Sequence, residues 1–162
     1  MKTCKNILIT GAFGFVGSNL SKSVKENLNA FLIAVDVFEP VNHGYDRYVN
    51  WNDLNSIDWD NVDAIIHLAG KAHDTAKKAD EKEYFDINVG LTKRIFDCFL
   101  RSRAGKFIFF SSVKAAADEV NGEILYESEI PNPKTPYGKS KLEAEFFLLD
   151  HKLPKHKKVY IL

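Results

Sequence analysis

The feature that most constrains the fold is a repeated alternation between short apolar runs and segments with helical periodicity. The runs are apolar throughout and rich in β-branched residues, which is typical of strands buried on both faces. Strands that alternate with helices in this way form parallel βαβ units with right-handed crossovers. The sequence therefore predicts an α/β fold, a doubly wound parallel sheet in a three-layer α/β/α arrangement.

The predicted elements can be placed along the chain. The strands are expected at Asn6–Thr10, Ala30–Val37, 45–51, Val62–Gly70, Lys106–Ser112 and 157–162. The helices are expected at Phe13–Leu28, Glu81–Arg103 and Thr135–Asp150. The first helix is expected to turn an apolar face toward the sheet, made of Phe15, Val16, Leu20, Val24 and Leu28. The polar stretch between the last two helices predicts an extended loop over the carboxyl edge of the sheet.

Composition excludes several classes of partner. The 162 residues are sized for one domain, and 22 Lys plus Arg balance 22 Asp plus Glu, so neither nucleic acid nor a membrane is an expected partner. No apolar run approaches the roughly 18 residues of a membrane span, and the N-terminus does not resemble a signal peptide. Cys4 and Cys98 are expected to be buried free thiols in a reducing, cytoplasmic compartment. The basic stretch "HKLPKHKK" (151–158) predicts a solvated turn before the last strand in preference to a binding patch.

The histidines give no sign of a metal centre. The sequence has five, and the nearest approach to a ligand pattern is His67 and His73 at the end of the fourth predicted strand. Two histidines six residues apart, without a ligand-like pairing to cysteines or acids, are a weak signal. No metal is expected.

The loop after the first strand carries the strongest functional signal. Gly11, Gly14 and Gly17 lie at three-residue spacing in "TGAFGFVG", between a predicted strand and a predicted helix. Such glycines permit a tight turn, a close approach of a diphosphate to the backbone, and close packing of the helix on the strand. The helix N-terminus then faces the anion. A merely tight turn is the alternative, because glycine turns are common.

Asp36 decides between these interpretations. It ends the second predicted strand, about twenty residues beyond the glycines, where a carboxylate accepts hydrogen bonds from an adenosine ribose in dinucleotide-binding folds. Alone, it could equally be a turn residue at a strand end. Its charge would repel a 2′-phosphate, so the pattern favours NAD over NADP.

A second pair of residues extends the pattern. Tyr137 and Lys141, in "PYGKSK", are four apart and lie on one face of the last predicted helix. Such a pair is usually a solvated helix face. Here it follows both a dinucleotide loop and the strand end "FFSSV".

Together these segments resemble the extended short-chain dehydrogenase/reductase family, more narrowly the NAD-dependent sugar-nucleotide epimerases and dehydratases. The matching segments, in the order of the family, are "TGAFGFVG", Asp36, "DL" at Asp53–Leu54, "HLAG", "NVGLT", "FFSSV" and "TPYGKSKLEAE". The resemblance implies a Rossmann-type fold, NAD as cofactor and a nucleotide-sugar substrate.

The resemblance also implies roles for individual residues. Tyr137 would transfer a proton, and Lys141 would hold the nicotinamide ribose and lower the pKa of the tyrosine. Ser112 would hydrogen-bond the reacting oxygen, with Ser111 as the alternative, since a register error of one residue would exchange them. The cofactor would be bordered by Gly11, Gly14, Phe15, Val16, Gly17, Asp36, Asp53, Leu54, Leu68, Ala69, Gly70, Asn88, Tyr137 and Lys141.

Within that set, three positions carry specific expectations. Asp53 and Leu54 would border the adenine, and Asn88 would bridge the central helix to the backbone that follows the fourth strand. Lys71 and His73 are expected to be surface loop residues, and Ser140 to be structural.

The chain is shorter than most members of this family, whose C-terminal part forms most of the nucleotide-sugar site. We therefore expect one NAD-binding domain, residues 1–162, that stops before the substrate-binding part. Its last strand, ending in "VYIL", would offer an unpaired edge to a second copy, so a homodimer is one expected arrangement.

The expected activity is 4-epimerisation of a UDP-hexose or UDP-N-acetylhexosamine through a 4-keto intermediate. A nucleotide-4-keto-sugar reductase is the alternative within the enzymes, and a catalytically silent NAD-binding module is the alternative outside them. Dehydration is less favoured, because Lys114 stands where dehydratases tend to carry an acidic pair.

Overall fold

A computed structural model of the chain describes residues 4–71, 80–120, 122–126 and 128–162. Its strands are β1 (Lys5–Thr10), β2 (Ala30–Asp36), β3 (Arg47–Asn50), β4 (Ala64–His67), β5 (Lys106–Phe109) and β6 (Lys158–Ile161). They form one sheet in the order β3-β2-β1-β4-β5-β6, and each neighbouring pair is parallel. The predicted parallel sheet is confirmed.

Helices occupy the three expected segments, and one further short helix follows β5, where none was predicted. They are α1 (Phe15–Asn27), α2 (Glu81–Tyr84), α3 (Gly90–Arg101), α4 (Val113–Ala116) and α5 (Pro136–Leu149). A π-helical turn (Phe85–Val89) joins α2 to α3, and two 3₁₀ turns (Trp51–Ser56 and Trp59–Asn61) follow β3. The predicted helix over 81–103 is therefore present, but a wider turn interrupts it.

The sheet is covered on both faces, as strands that are apolar throughout require. Leu8 points into the larger cluster, where Phe96 of α3 packs edge-on against Phe107 of β5, with ring centroids 5.2 Å apart. Its neighbour Ile9 points into a smaller cluster on the opposite face, which Val24 of α1 covers. The central strands are thus sandwiched between helices.

The predicted inner face of α1 is correct only at Val24, which is buried, and at Leu20, which packs against the smaller cluster. Phe15 is 87% exposed and Leu28 52% exposed, and the buried residues of the helix are Gly17, Ser21 and Val24. A Cβ on Gly17 would overlap the carbonyl oxygen of Ala12, so α1 lies too close to the loop before it for larger side chains. Small residues, which carry little hydrophobic signal, therefore form the packed face.

The basic stretch before β6 contains a buried ammonium group. The Nζ of Lys157 donates to the carbonyl oxygens of Phe99 (2.7 Å), Ser102 (2.8 Å) and Ala104 (2.9 Å), and the residue is 5% exposed. These carbonyls lie at and just beyond the end of α3, where a helix leaves its last acceptors unpaired. The stretch is therefore not uniformly the solvated turn that its charge indicated.

His67, the last residue of β4, is fully buried. Its Nδ1 lies 2.6 Å from the hydroxyl of Thr10 and its Nε2 lies 2.9 Å from the hydroxyl of Thr92. Burial lowers the pKa of His67 from 6.5 to about 3, and the charge of Lys141 acts in the same direction. The folded chain therefore holds this imidazole neutral.

Two further expectations concern compartment. Cys4 is exposed and Cys98 is half-buried, so the prediction that both thiols are buried is wrong. Within the described ranges, no helix has the length and apolarity needed to span a bilayer, and no group of three potential ligands that could hold a metal is present. His73 lies outside the described residues.

Replacing Lys157 by Met should lower the free energy of unfolding by about 2–4 kcal/mol, because buried carbonyls lose their donor while the apolar stem is kept. Urea denaturation measures this change. Lys155→Met, at an exposed position of the same segment, should stay within about 0.5 kcal/mol of the parent. Equal effects of the two substitutions would contradict the capping role.

The neutral state of His67 predicts how stability depends on pH. Between a folded pKa of about 3 and an unfolded value of 6.5, the unfolded chain binds a proton that the folded chain does not. The free energy of unfolding should therefore fall as pH drops below about 6.5, by up to about 1.4 kcal/mol per pH unit.

Urea titrations from about pH 6.5 down to about 4.5 isolate this histidine, because buried or paired carboxylates act mainly at lower pH. His67→Gln should flatten the slope, whereas His156→Gln, at an exposed site, should leave it. A slope that survives the first substitution would exclude His67 as its source.

Candidate active site

A cleft of about 330 Å³ opens at the carboxyl ends of β1, β4 and β5. The order of strands along the chain reverses between β1 and β4, and open α/β sheets bind ligands at such a switch point. The lining comes from the glycine loop, the ends of β4 and β5, the π-helical turn and α5. It consists of Gly11, Gly14, Phe15, Val16, Gly17, Leu68, Gly70, Lys71, Asn88, Phe110, Ser111, Tyr137 and Lys141.

Most of the residues expected around a cofactor thus meet in one place. The lining does not include the expected cofactor residues Asp36, Asp53, Leu54 and Ala69, or the catalytic candidate Ser112.

A larger groove, about 900 Å³, opens at the opposite end of the sheet. It lies beside the amino ends of β1, β4, β5 and β6, with Lys5, Arg103 and Lys106 among its lining residues. Neither the glycine loop nor the Tyr–Lys pair reaches it. Size alone therefore does not identify the site, and the smaller cleft is the better candidate.

The glycine loop has the tight geometry that its sequence indicated. Gly11 has φ +64°, its N–H donates to Val35 O (3.0 Å), and a Cβ there would lie 2.7 Å from the nitrogen of Ala69. Gly14 is the N-cap of α1, and among the described residues no side chain accepts a hydrogen bond at this cap. The start of α1 can therefore present its N–H groups to an anion.

Asp36 is tied to the glycine loop. Its Oδ2 accepts a hydrogen bond from the N–H of Phe13 (2.9 Å), and its Oδ1 accepts one from the N–H of Val37 (2.8 Å). The carboxylate therefore fixes the loop and the end of β2 in one geometry. Each carboxylate oxygen of Asp36 keeps a lone pair that could accept a hydrogen bond from a ribose hydroxyl.

Tyr45 supports the loop from behind, a role that the sequence did not indicate. Its buried hydroxyl donates toward the carbonyl oxygens of Ala12 (3.1 Å) and Gly17 (2.9 Å), and its ring packs edge-on against Phe13 at 5.6 Å. Burial raises the pKa of Tyr45 to about 12, so the phenol stays protonated and keeps donating.

Asp53 and Leu54 separate in the structure. Asp53 is exposed in the 3₁₀ turn after β3, whereas Leu54 is 5% exposed and its side chain belongs to the larger core cluster. The side chain of Leu54 therefore packs into the core, and the place of this residue beside the adenine stays a prediction.

Asn88 forms the bridge that the resemblance implied. From the π-helical turn, its Oδ1 accepts from the N–H of Lys71 (2.7 Å), and its Nδ2 donates to the carbonyl oxygen of Lys71 (3.2 Å). The same Nδ2 donates to the hydroxyl of Ser140 (2.9 Å), which donates to the carbonyl oxygen of Tyr137 (2.8 Å). Ser140 is fully buried, as a structural residue should be.

Tyr137 and Lys141 lie on one face of α5 and both line the cleft. The helix begins at Pro136, and the hydroxyl of its N-cap, Thr135, accepts from the N–H of Gly138 (3.2 Å). A Cβ on Gly138 would overlap the carbonyl oxygen of Lys114, so this glycine lets the start of α5 approach α4.

Lys141 is buried, with 6% of its surface exposed. Its Nζ donates to the carbonyl oxygen of Phe110 (2.7 Å) and lies 4.0 Å from the ring centroid of Phe109. Burial lowers the pKa of Lys141 to about 8, while the charge of Glu145 opposes the shift. The lysine is therefore a cation at neutral pH that a modest change of environment can titrate.

The two serines after β5 take different roles. Ser111 lines the cleft, and its hydroxyl bonds the carboxylate of Glu145 on α5. Ser112 is the N-cap of α4, where its oxygen accepts from the N–H of Lys114 (3.2 Å) and its own hydroxyl hydrogen can still be donated. Because β5 ends at Phe109, the alternation of a strand does not decide between them.

Two partners of Lys141 were not predicted from the sequence: the carbonyl of Phe110 and the carboxylate of Glu145. The carbonyl of Phe110 could not be identified from residue type, because a backbone group leaves no signal. Glu145 could have been, since it lies four residues after Lys141 on the same helix face.

Comparison with known proteins identifies the family of the chain. The description "NAD dependent epimerase/dehydratase family" matches residues 7–152. UDP-glucose 4-epimerase of Vibrio cholerae is 31% identical in an alignment of 156 positions, which covers 89% of this chain and 46% of that protein. GDP-6-deoxy-D-mannose reductase of Pseudomonas aeruginosa is 29% identical over 150 residues, again 46% of that protein and 90% of this chain. The chain spans about half the length of the curated relatives it matches.

Solved structures agree on the fold. UDP-glucose 4-epimerase from Brucella ovis, in complex with NAD, superposes with a TM-score of 0.83 at 24% identity and covers 98% of this chain and 51% of that one. MoeE5 in complex with UDP-glucose and NAD gives a TM-score of 0.79 at 27% identity, with 96% of this chain and 52% of that one covered. These superpositions confirm the Rossmann-type fold.

The match over residues 7–152 covers most of the chain, and it includes the glycine loop, Asn88 and the Tyr–Lys helix in their order. The chain belongs to the NAD-dependent epimerase/dehydratase family.

Proposed function

We propose that this chain binds NAD in the switch-point cleft and supplies the cofactor-binding and proton-transfer residues of a nucleotide-sugar 4-epimerase. The observation that carries the proposal is the convergence of the glycine loop, Tyr137 and Lys141 on one cleft. A glycine turn or a Tyr–Lys pair alone is common, but the two facing each other across a switch point are what a dinucleotide and a reacting alcohol require together.

The residues present fit NAD. The uncapped start of α1 suits a diphosphate, and Gly11 and Gly14 leave its approach clear of side chains. Asp36 would hold the adenosine ribose, and Asp53, which is exposed in the 3₁₀ turn after β3, would border the adenine. Leu68, Gly70 and the residues flanking them would form the floor, with Lys141 at the nicotinamide ribose.

The chemistry on the protein side centres on Tyr137. NAD, when bound, supplies a reversible acceptor for the hydride at C4 of the sugar. Tyr137 would accept the proton of the 4-hydroxyl and later return it. The ammonium of Lys141 would bind the nicotinamide ribose beside the phenol. Ser112 would donate its hydroxyl hydrogen to the reacting oxygen, with Ser111, which lines the cleft, as the alternative.

The 4-epimerase is preferred because the UDP-glucose 4-epimerase of Neisseria meningitidis, as well as that of Vibrio cholerae, is among the similar curated proteins. A nucleotide-4-keto-sugar reductase is the second candidate, favoured by the similarity to GDP-6-deoxy-D-mannose reductase. In that case Tyr137 would donate a proton in one direction only. A binding module without turnover is the third, because the matched relatives are about twice as long.

The same proposal includes the arrangement of the chain. Residues 1–162 would form the NAD-binding domain. β6 is an edge strand with Tyr160 41% exposed, so pairing of two copies along it is the proposed route to a homodimer.

Cofactor choice tests the role of Asp36. Isothermal titration calorimetry should detect NAD, with NADP bound at least about 10-fold more weakly, since the carboxylate repels a 2′-phosphate. Asp36→Asn should bring the two affinities within about 3-fold, while Glu26→Gln, an exposed charge on α1, should preserve the difference. Absence of NAD uptake by folded protein would refute the proposed function.

Turnover tests the role of Tyr137. Tyr137→Phe should reduce conversion of UDP-galactose or UDP-N-acetylgalactosamine by at least about 10²-fold, with NAD affinity changed less than about 3-fold. Tyr126→Phe, at a position 60% exposed, is the matched control and should leave both unchanged.

The pattern of turnover also separates the three candidates. Conversion without net consumption of nicotinamide supports the epimerase, and stoichiometric oxidation of NADH with a 4-keto sugar supports the reductase. Binding of NAD with no conversion supports the module.

A further inference from the structure

A continuous chain of buried hydrogen bonds runs beneath the cleft. It starts at the end of β1 with Thr10, passes through His67 of β4 and Thr92 of α3, and reaches Asn88 in the π-helical turn. From Asn88 it continues to Ser140 of α5. All five residues are at most 2% exposed, so their bonds are made out of contact with water.

The direction of each bond follows from the partners. The hydroxyl of Thr92 donates to the carbonyl oxygen of Asn88 (2.6 Å), which uses its one hydrogen, so it must accept from the Nε2–H of His67 (2.9 Å). The Nδ1 of His67 then accepts from the hydroxyl of Thr10 (2.6 Å), whose oxygen accepts from the N–H of Ala69 (3.2 Å). A neutral imidazole protonated on Nε2 satisfies every partner.

Both walls of the cleft are held by this series of hydrogen bonds. Ala69 belongs to the floor after β4, and the Asn88 side chain holds the next part of it, through both backbone groups of Lys71. On the other wall, Ser140 accepts from Asn88 and donates to the carbonyl oxygen of Tyr137. The proton-transfer residue and the cofactor floor are therefore held by one set of bonds.

We propose that His67 is a positioning residue, which acts through Thr92, Asn88 and Ser140 to keep Tyr137 aligned with the cofactor floor. The inference rests on the proposed function for its catalytic meaning, although the coupling itself is a property of the fold. The rings of Phe107 and Phe109 flank the imidazole, with centroids 6.0 and 5.8 Å away. An apolar side chain could fill that space, so the bonds and not the volume account for a histidine at this position.

Two pairs of substitutions separate positioning from packing. Thr92→Val keeps the shape but removes both bonds of the hydroxyl, whereas Thr92→Ser keeps the hydroxyl. His67→Gln can place an amide N–H where Nε2–H stands, whereas the shorter His67→Asn can reach only the Thr10 side. Volume alone would make Thr92→Val the milder of its pair, whereas the proposed role makes Thr92→Ser the milder. Both criteria favour His67→Gln over His67→Asn, so the Thr92 pair separates the two roles and the His67 pair checks the result.

The first readout is NMR of the full chain, which does not depend on activity. Nitrogen-15 signals report the imidazole, and proton and carbon-13 signals report the tyrosine ring. The imidazole of His67 should carry its proton on Nε2. The ring signals of Tyr137, identified by their loss in Tyr137→Phe, should shift in Thr92→Val and His67→Asn and return to near the parent positions in Thr92→Ser and His67→Gln. Unchanged Tyr137 signals in Thr92→Val, or a proton on Nδ1, would overturn the proposal.

The second readout is steady-state kinetics on the same variants. Thr92→Val and His67→Asn should lower kcat by at least about 10-fold with KM and NAD affinity within about 3-fold, and the two conservative variants should recover most of the loss. Equal kcat in all four would contradict positioning. Parent protein that neither binds NAD nor turns over would refute the proposed function, while the NMR comparison would still decide the coupling.

Discussion

The close approach of backbone to backbone at Gly11 is the constraint on which the rest of the structure depends. Gly11 directly follows β1, next to the neighbouring strand β4, which comes much later in the chain. A Cβ at Gly11 would collide with the backbone of Ala69, which follows β4. The loop can then turn tightly enough to leave the first N–H groups of α1 facing the cleft. Asp36 and Tyr45 hold the loop from two sides, by its N–H and carbonyl groups respectively. The close packing of the carboxyl ends of β1 and β4 therefore produces a site that can bind an anion.

The sheet could be predicted because burial on both faces leaves a simple signal, a run of apolar β-branched residues. The packing face of α1 could not, because Gly17 and Ser21 make the contact by being small, and hydrophobicity alone pointed to Phe15 and Leu28. Lys157 was also misjudged, since its burial depends on carbonyls that only the folded chain brings together. Leu54 was itself a predicted site residue, and its side chain packs into the core.

The candidate site could be predicted further than its supports. The glycine loop, Asn88, Tyr137 and Lys141 are recognisable by spacing and order, and the structure brings them to one cleft. What surrounds them is set by backbone carbonyls and neutral hydroxyls, which residue type does not reveal. The neutral state of His67 follows from its burial, because a second cation next to the buried Lys141 would be costly.

The π-helical turn between α2 and α3 has a consequence for the evolution of the site. In it the N–H of Gly90 reaches back to the carbonyl of Phe85, so the segment holds one residue more than a regular helix would. Tyr84, just before the turn, packs against the ring of Tyr137, and Asn88, within it, bonds Ser140. Loss of a single codon there would restore a regular helix and rotate one of these contacts away by about 100°. The length of this stretch is thus constrained more tightly than the identity of most of its residues.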